Sequence, residues 1–252
     1  MDLHGRHALV TGGGRGIGRA VAAALSAAGA QVTVVGRTEK PLQDAVAAGH
    51  AHGWIVADVT EPEAMVDHMR TIETVRGPID ILVANAGGAV SAPFAETEPS
   101  QFRQMFELNV MGVVHATQAV LGGMIERKSG RIVAIASVAG VRGYGYVSAY
   151  CTAKHAVVGL VRSLAVETAK TGVTVNDVCP GYTDTEMMRE AVSNIVAKTG
   201  RSREQAEAAI LKSTPMDRFI KPAEVAAAVL YLCLPAAASV TGTTLMVAGG
   251  EN

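Results

Sequence analysis

Ala8-Leu9-Val10-Thr11-Gly12-Gly13-Gly14-Arg15-Gly16-Ile17-Gly18-Arg19, running straight into Ala20-Val21-Ala22-Ala23-Ala24-Leu25, reads as apolar strand, glycine turn and alanine-rich helix. A helix N-terminus reached through glycines offers unpaired backbone N–H groups and a favourable dipole to a pyrophosphate. The spacing through Gly12, Gly16 and Gly18 is G-x-x-x-G-x-G, not the strict G-x-G-x-x-G dinucleotide fingerprint. Its place after the first strand is what points to a nucleotide. Gly12, Gly14, Arg15, Gly16, Ile17 and Gly18 are the residues expected to meet it.

The same alternation continues almost to the end of the chain. Ala8 to Val10, Gln31 to Val35, Trp54 to Ala57, Ile79 to Ala84, Arg131 to Ala136, Val173 to Val178 and Thr244 to Val247 read as seven short apolar strands. Stretches of helix length rich in Ala, Val and Leu separate them. Continuous apolar strands between helices predict an α/β architecture, a parallel sheet covered on both faces. No linker or shift in composition divides residues 1–252, so one domain is expected. Between the sixth and seventh strands, around Thr185 to Thr214, the pattern turns helical and charged. Ligands in such folds bind beyond the C-terminal ends of the strands. Residues 185–214 therefore read either as a helical substrate lid or as a solvated helix pair without a gating role.

The 252 residues are 49% hydrophobic and 18% charged, with a formal net charge of −1. That suits a chain burying one substantial core and gives no electrostatic footing for nucleic acid. No signal-peptide pattern precedes the first strand, and no apolar run reads as long enough to span a bilayer. Cys151, Cys179 and Cys233 are too scattered for a disulfide framework or a CxxC metal site. The expectation is a cytoplasmic protein with no metal and no membrane partner. The seven histidines lack ligand spacing, and His4 and His7 read as terminal surface residues.

Ser148-Ala149-Tyr150-Cys151-Thr152-Ala153-Lys154 opens another helical run. A four-residue separation puts Tyr150 and Lys154 on one helix face. A phenol exchanges protons poorly near neutrality because its ordinary pKa is about 10. A fixed ammonium about 5 Å away, at an effective dielectric of about 20, favours phenolate by roughly 3 kcal/mol. Such a pair is suited to general acid–base catalysis. An isolated Tyr-x-x-x-Lys is more often two helix-surface residues, so the rest of the chain has to decide.

It does so through several separated motifs. Thr11-Gly12 to Gly18, Ala57-Asp58-Val59, Asn85-Ala86-Gly87, Asn109 in Glu107-Leu108-Asn109-Val110, Ser137, Tyr150 with Lys154, and Asn176 with Pro180-Gly181 stand in this order. Together they resemble the short-chain dehydrogenase/reductase family over essentially the whole chain. The resemblance implies a single Rossmann-like, doubly wound domain with strand order 3-2-1-4-5-6-7. It implies that Tyr150 passes a proton to a carbonyl oxygen as hydride arrives from a nicotinamide, or removes one in the reverse direction. Ser137 would hydrogen-bond that oxygen. Lys154 would lower the Tyr150 pKa and bond the nicotinamide ribose, and Asn109 would hold a water linking Lys154 to solvent. By the same resemblance Asn85, Ala86 and Gly87 close the fourth strand against the cofactor, with Asp58 and Val59 at the adenine. Pro180, Gly181, Thr183 and Thr185 would line the nicotinamide carboxamide.

The second strand ends in Gly36-Arg37-Thr38, without the acid that NAD sites place about 20 residues past the glycine turn. Arg37 and Arg15 can instead pair with a 2′-phosphate through charge-assisted bonds. NADP(H) is therefore expected over NAD(H), with Glu39 placed close enough to Arg37 to neutralise it.

The nearest-looking family members are 3-oxoacyl reductases acting on acyl-carrier-protein or CoA thioesters, polyketide ketoreductases, and 3-hydroxyacyl-CoA or 3-hydroxybutyrate dehydrogenases, which the Thr241 to Thr244 and Val247 to Gly250 segments of this chain resemble. A small carbonyl or alcohol substrate is implied, with a 3-oxoacyl thioester first. A sugar, cyclic alcohol or xenobiotic ketone stays open, as does a silent NADP-binding sensor or subunit, which the presence of Ser137, Tyr150 and Lys154 disfavours. Gly88 to Pro93, Ala139 to Tyr146 and the lid are expected to frame the substrate, with Tyr144 on an aromatic, flexible rim. Arg142, Arg189, Lys198, Arg201 and Arg203 are read either as phosphate partners of CoA or a carrier arm, or as solvated surface charge. Apolar faces over residues 102–119 and 153–165 fit the family's habit of pairing helices in a homotetramer. One departure stands out: Asp177 puts an acid inside an apolar strand, where an unpaired carboxylate is costly. Cys151 is read as packing.

Overall fold

The computed structural model, which describes residues 2–251, contains a seven-stranded sheet in the order β3-β2-β1-β4-β5-β6-β7. The strands are β1 (His7–Thr11), β2 (Gln31–Gly36), β3 (Gly53–Val56), β4 (Ile81–Ala84), β5 (Gly130–Ile135), β6 (Val173–Pro180) and β7 (Thr244–Val247). Every neighbouring pair is parallel. Helices α1 (Gly16–Ala27), α2 (Glu39–Ala47) and α9 (Pro222–Cys233) pack on one face. Helices α3 (Pro62–Arg76), α4 (Pro99–Phe106), α5 (Gly112–Glu126) and α6 (Ser148–Thr168) cover the other.

Burial from both sides explains why the strands carry no polar alternation. In β1, Leu9 joins the α3–α6 core with Leu82 and Ile132, while Ala8 and Val10 join the α1–α9 core with Val32 and Val83. Each fully buried aliphatic side chain contributes about 1.5–3 kcal/mol. The crevice that matters opens between β1 and β4. The chain leaves β1 toward β2 on one side and returns to β4 on the other, so the loops after these two strands diverge above it.

Several expectations shift. The fourth strand starts at Ile81 rather than Ile79, because Asp80 turns its carboxylate onto the His7 N–H at 3.0 Å. The third ends at Val56, one residue before Ala57, and the sixth extends to Pro180 by pairing with β7. His7, expected on the surface, is buried as the first residue of β1, its ring nitrogens meeting Gly77 O and Thr33 Oγ1, each at 2.9 Å. One helical run, Pro99–Glu126, does reach membrane-spanning length and apolarity, contrary to the reading that none would. Half of its most apolar window is buried within the protein. Met105, Val113, Ala116 and Val120 enter the core beneath the sheet, which is how a core helix behaves.

The charged stretch after β6 folds as α7 (Glu186–Thr199) and α8 (Arg203–Leu211). Thr185 caps the first, its Oγ1 accepting from Met188 N at 3.3 Å. Ser202 and Gln205 form a reciprocal capping box on the second. Val192 and Ala206 are the buried residues of the pair, so these helices stand off the main core.

Candidate active site

The turn after β1 is packed to the limit. Gly12 has φ of +65°, a left-handed conformation that suits glycine, and a Cβ there would lie 2.7 Å from Asn85 Nδ2. On Gly18 a Cβ would meet Gly12 O at 2.3 Å and Asn85 Nδ2 at 2.5 Å. Asn85 is the clamp: its Nδ2 donates to Thr11 O at 2.9 Å and Gly12 O at 3.2 Å. Thr11 Oγ1 accepts from the Asn85 and Ala86 N–H groups at 3.0 and 3.1 Å. The turn also reaches α7, since a Cβ on Gly16 would touch the Thr185 methyl at 3.2 Å. What remains is a cradle of bare backbone at the start of α1, with Ile17 half-buried beside it. Such a cradle fits a pyrophosphate and would be filled by any side chain.

Arg15 is exposed at the N-cap of α1. Gly14 packs on Pro41, 3.0 Å from a Cβ placed on it, which sets the Arg15 turn against the first turn of α2. Arg37 precedes the N-cap of that helix, Thr38, and is 3.9 Å from Asp58 Oδ2. Glu39 is not its neutraliser: that carboxylate accepts from Gln43 at 3.0 Å. Asp58 Oδ1 also accepts from the Thr60 N–H and hydroxyl at 3.0 and 2.8 Å. Val59 is buried against Gly112, where a Cβ would come within 2.7 Å of it.

At the other side of the crevice four segments converge. Ser137 follows β5, its Oγ accepting from Ala139 N at 3.1 Å. Tyr150 stands in the first turn of α6, close enough to Ser137 for that hydroxyl to act on the phenol. Lys154, buried on the same helix face, donates from Nζ to Ile135 O at 2.8 Å and stands 5.7 Å from the Tyr150 ring centroid. Gly87 admits them: a Cβ there would lie 2.7 Å from Asn109 Oδ1 and 3.6 Å from Lys154 Nζ. Asn109 belongs to a π-helical turn, Glu107–Met111, between α4 and α5. Its Nδ2 donates to Gly88 O and Met105 O at 3.0 and 3.1 Å, and its Oδ1 accepts from Gly88 N at 3.2 Å.

The electrostatic balance departs from the sequence expectation. Burial pushes the Tyr150 phenol above its ordinary range, opposed by the Ser137 hydrogen bond. Burial also brings the Lys154 ammonium down to about 8. At neutral pH the phenol keeps its proton and the lysine keeps its charge.

Behind these groups β6 carries the unexpected acid. Asp177 is buried and accepts from Cys179 Sγ at 3.4 Å and Thr244 Oγ1 at 3.1 Å. Burial raises its carboxyl above the usual range, and burial beside that acid pushes the Cys179 thiol up to about 12. Beyond Pro180, a Cβ on Gly181 would meet Ala248 Cα at 3.1 Å, and buried Thr183 donates to Gly181 O at 2.9 Å. Tyr144 is drawn into a different cluster, its hydroxyl donating to Glu251 Oε1 at 2.6 Å and its ring edge-on to Tyr182 at 6.1 Å. Sequence reasoning missed Thr11 as a clamp, Tyr182 and Glu251. Thr11 and Tyr182 lie inside segments already singled out, whereas Glu251 belongs to no pattern.

Known proteins share this arrangement of elements. A family described as short chain dehydrogenase matches residues 6–195. A putative ketoacyl reductase of Streptomyces coelicolor is 40% identical, over 96% of this chain and 95% of its own length. An acetoacetyl-CoA reductase of Rhizobium meliloti is 37% identical, over 98% of each chain. The crystal structure of an actinorhodin polyketide ketoreductase with NADPH superposes with a TM-score of 0.93 at 36% identity, covering 98% of this chain and 97% of that one.

Proposed function

This chain belongs to the short chain dehydrogenase family of oxidoreductases, and from that premise we propose that it is an NADPH-dependent ketoreductase acting on a 3-oxoacyl thioester. The observation that carries the reading is the convergence of Ser137, Tyr150 and buried Lys154 beyond the C-terminal ends of β4 and β5, with Lys154 Nζ donating to Ile135 O at 2.8 Å and standing 5.7 Å from the Tyr150 ring centroid. The relatives named ketoacyl and acetoacetyl-CoA reductase support the thioester. The structure with NADPH supports the cofactor.

The bare cradle at Gly12, Gly14, Gly16 and Gly18 suits the pyrophosphate, with Ile17 beneath it. Arg15 and Arg37 would take the 2′-phosphate, and Asp58 and Val59 the adenine. Asn85, Ala86, Gly87, Pro180, Gly181, Thr183 and Thr185 would bound the nicotinamide end. When bound, the nicotinamide supplies hydride to the carbonyl carbon. Tyr150 gives its proton to the carbonyl oxygen, and burial keeps that proton available. Ser137 donates a hydrogen bond to the same oxygen, where negative charge develops. The Lys154 ammonium attracts the phenolate left behind more strongly than the phenol before transfer, a difference that favours the transition state. Asn109 would hold a water that reloads Lys154 from solvent.

Lys154 is charged below about pH 8. Ketone reduction is therefore expected to fall as pH rises through about 8. The decisive assay follows NADPH absorbance with acetoacetyl-CoA beside cyclic and sugar ketones. Turnover of the other ketones alone would remove the thioester. Tight NADPH binding with no turnover of any ketone would leave a silent binding protein.

We further assign a homotetramer in the cytoplasm. An apolar groove between α4 and α6, lined by Phe102, Phe106, Ala149 and Ala153, supports the assembly. Three free cysteines suit a reducing compartment. Sedimentation at micromolar concentration tests the assembly, and a monomer would refute it.

A further inference from the structure

Glu251 has no part in the chemistry assigned above, yet its side chain is fully buried. Oε1 accepts from the Tyr144 hydroxyl at 2.6 Å and lies 3.8 Å from Arg142 Nη1. Oε2 is buried without a hydrogen-bond donor. A carboxylate oxygen that has lost water and gained no donor costs free energy. Stability alone gives little reason for this acid, and local conflicts of this kind concentrate at functional sites.

What the carboxylate holds is an aromatic pair. The Tyr144 ring meets Tyr182 at 6.1 Å with an interplanar angle of 76°, and the Arg142 guanidinium stands 5.2 Å from the Tyr144 centroid. Tyr144 lies on the loop between Ser137 and Tyr150. Tyr182 lies between Gly181 and Thr183, on the loop assigned to the nicotinamide end, with Ser213, just past α8, near enough to act on its phenol. Next to Glu251, a Cβ on Gly249 would meet Met216 at 3.0 Å and one on Gly250 would meet Pro215 at 3.2 Å. The loops after β5 and β6, the exit of α8 and the segment after β7 thus meet at this point. Gly143 and Gly145 flank Tyr144 with open space where a Cβ would stand. The Tyr144 side chain therefore ties this stretch of loop to the other segments, together with Arg142 at Glu251 and the Tyr146 carbonyl, which accepts from Ala92 N at 2.9 Å.

We propose that Glu251 is a specificity-determining positioning residue: through the Tyr144 hydroxyl it fixes the Tyr144–Tyr182 pair as one wall of the substrate mouth. The wall is aromatic, two rings set edge to face with polar tips, and it suits the acyl flank of a 3-oxoacyl thioester. The inference rests on the reading of Ser137 and Tyr150 as the reduction centre.

The test measures kcat and KM for acetoacetyl-CoA at saturating NADPH, together with NADPH Kd, in wild type, Tyr144→Phe, Glu251→Leu, Glu251→Gln and the Tyr144→Phe/Glu251→Leu double variant. Tyr144→Phe and Glu251→Leu should each raise KM about 10-fold, with kcat and NADPH Kd within about 2-fold of wild type. Both remove the same bond, so the double variant should also stay near 10-fold rather than reach about 100-fold. Glu251→Gln keeps an acceptor for the phenol and should hold KM within about 3-fold of wild type. Multiplicative effects, a loss confined to kcat, or a glutamine variant as poor as the leucine would overturn the proposal. Should Glu251→Leu fail to fold, Tyr144→Phe decides alone, and an unchanged KM overturns it. A wild type inactive on every ketone would overturn the reduction centre as well. An active wild type with unaffected variants would overturn this inference only.

Discussion

The two halves of the crevice are built on opposite terms. On the β1–β4 side, a Cβ on Gly12 or Gly18 would come within 2.7 Å of a neighbour, and Asn85 and Thr11 lock the turn with four hydrogen bonds. The acid there, Asp58, has donors from Thr60 and a nearby cation in Arg37. On the β5–β7 side, Gly143 and Gly145 stand in open space, and Asp177 and Glu251 are buried with fewer donors than they could accept. Close packing suits a ligand recognised by its phosphates and backbone contacts. Slack held by a few polar tethers suits a substrate recognised by shape. On the proposed reading, the cofactor side is the close-packed one and the substrate side is the one with room around its loop.

Gly18→Ala against Gly145→Ala probes the contrast most sharply. Overpacking at Gly18 should weaken NADPH binding by about 100-fold, while the open site at Gly145 leaves it within about 2-fold. Similar losses in a fluorescence titration of the two variants would break the comparison. Next in size is Arg37→Ala, where loss of a charge-assisted contact should raise NADPH Kd by about 30-fold and leave NADH within about 2-fold. Unchanged NADPH affinity would refute the 2′-phosphate assignment.

The smallest effect concerns the buried acid. Burial raises the Asp177 carboxyl above 3.8, so the folded state holds that proton more tightly than the unfolded chain. Stability associated with this group is greatest below 3.8 and is lost as pH rises toward the folded value. Asp177→Asn keeps the shape without the charge. It should raise the melting temperature by about 2–4 °C at neutral pH, with the gain vanishing in acid. Asp58→Asn should give no such rise. Calorimetry showing equal shifts in the two variants would remove the electrostatic half of the contrast.

Most of the architecture was legible because strands buried on both faces leave long apolar runs that pattern reading detects. β7 falls where the pattern put it, and the motif residues after β1, β4 and β5 surround one crevice. The missing parts share a physical cause, dependence on contacts distant in the chain. His7 is buried because Thr33 and Gly77 receive its ring. Asp177 is tolerated partly because Thr244 donates to it. Helical periodicity does not reveal the π turn at Glu107–Met111, which commits the Asn109 amide to Gly88. The rise of the Tyr150 phenol was hidden for the same reason: a lysine at a known spacing can be read from sequence, but the degree of burial cannot.

The central claim is that the Tyr150 phenol is the proton donor in ketone reduction. Tyr150→Phe preserves the ring and its packing while removing the proton. The account predicts that kcat for acetoacetyl-CoA reduction falls by about 1,000-fold while NADPH Kd stays within about 2-fold of wild type. A phenylalanine variant that reduces the ketone at the wild-type rate would contradict it.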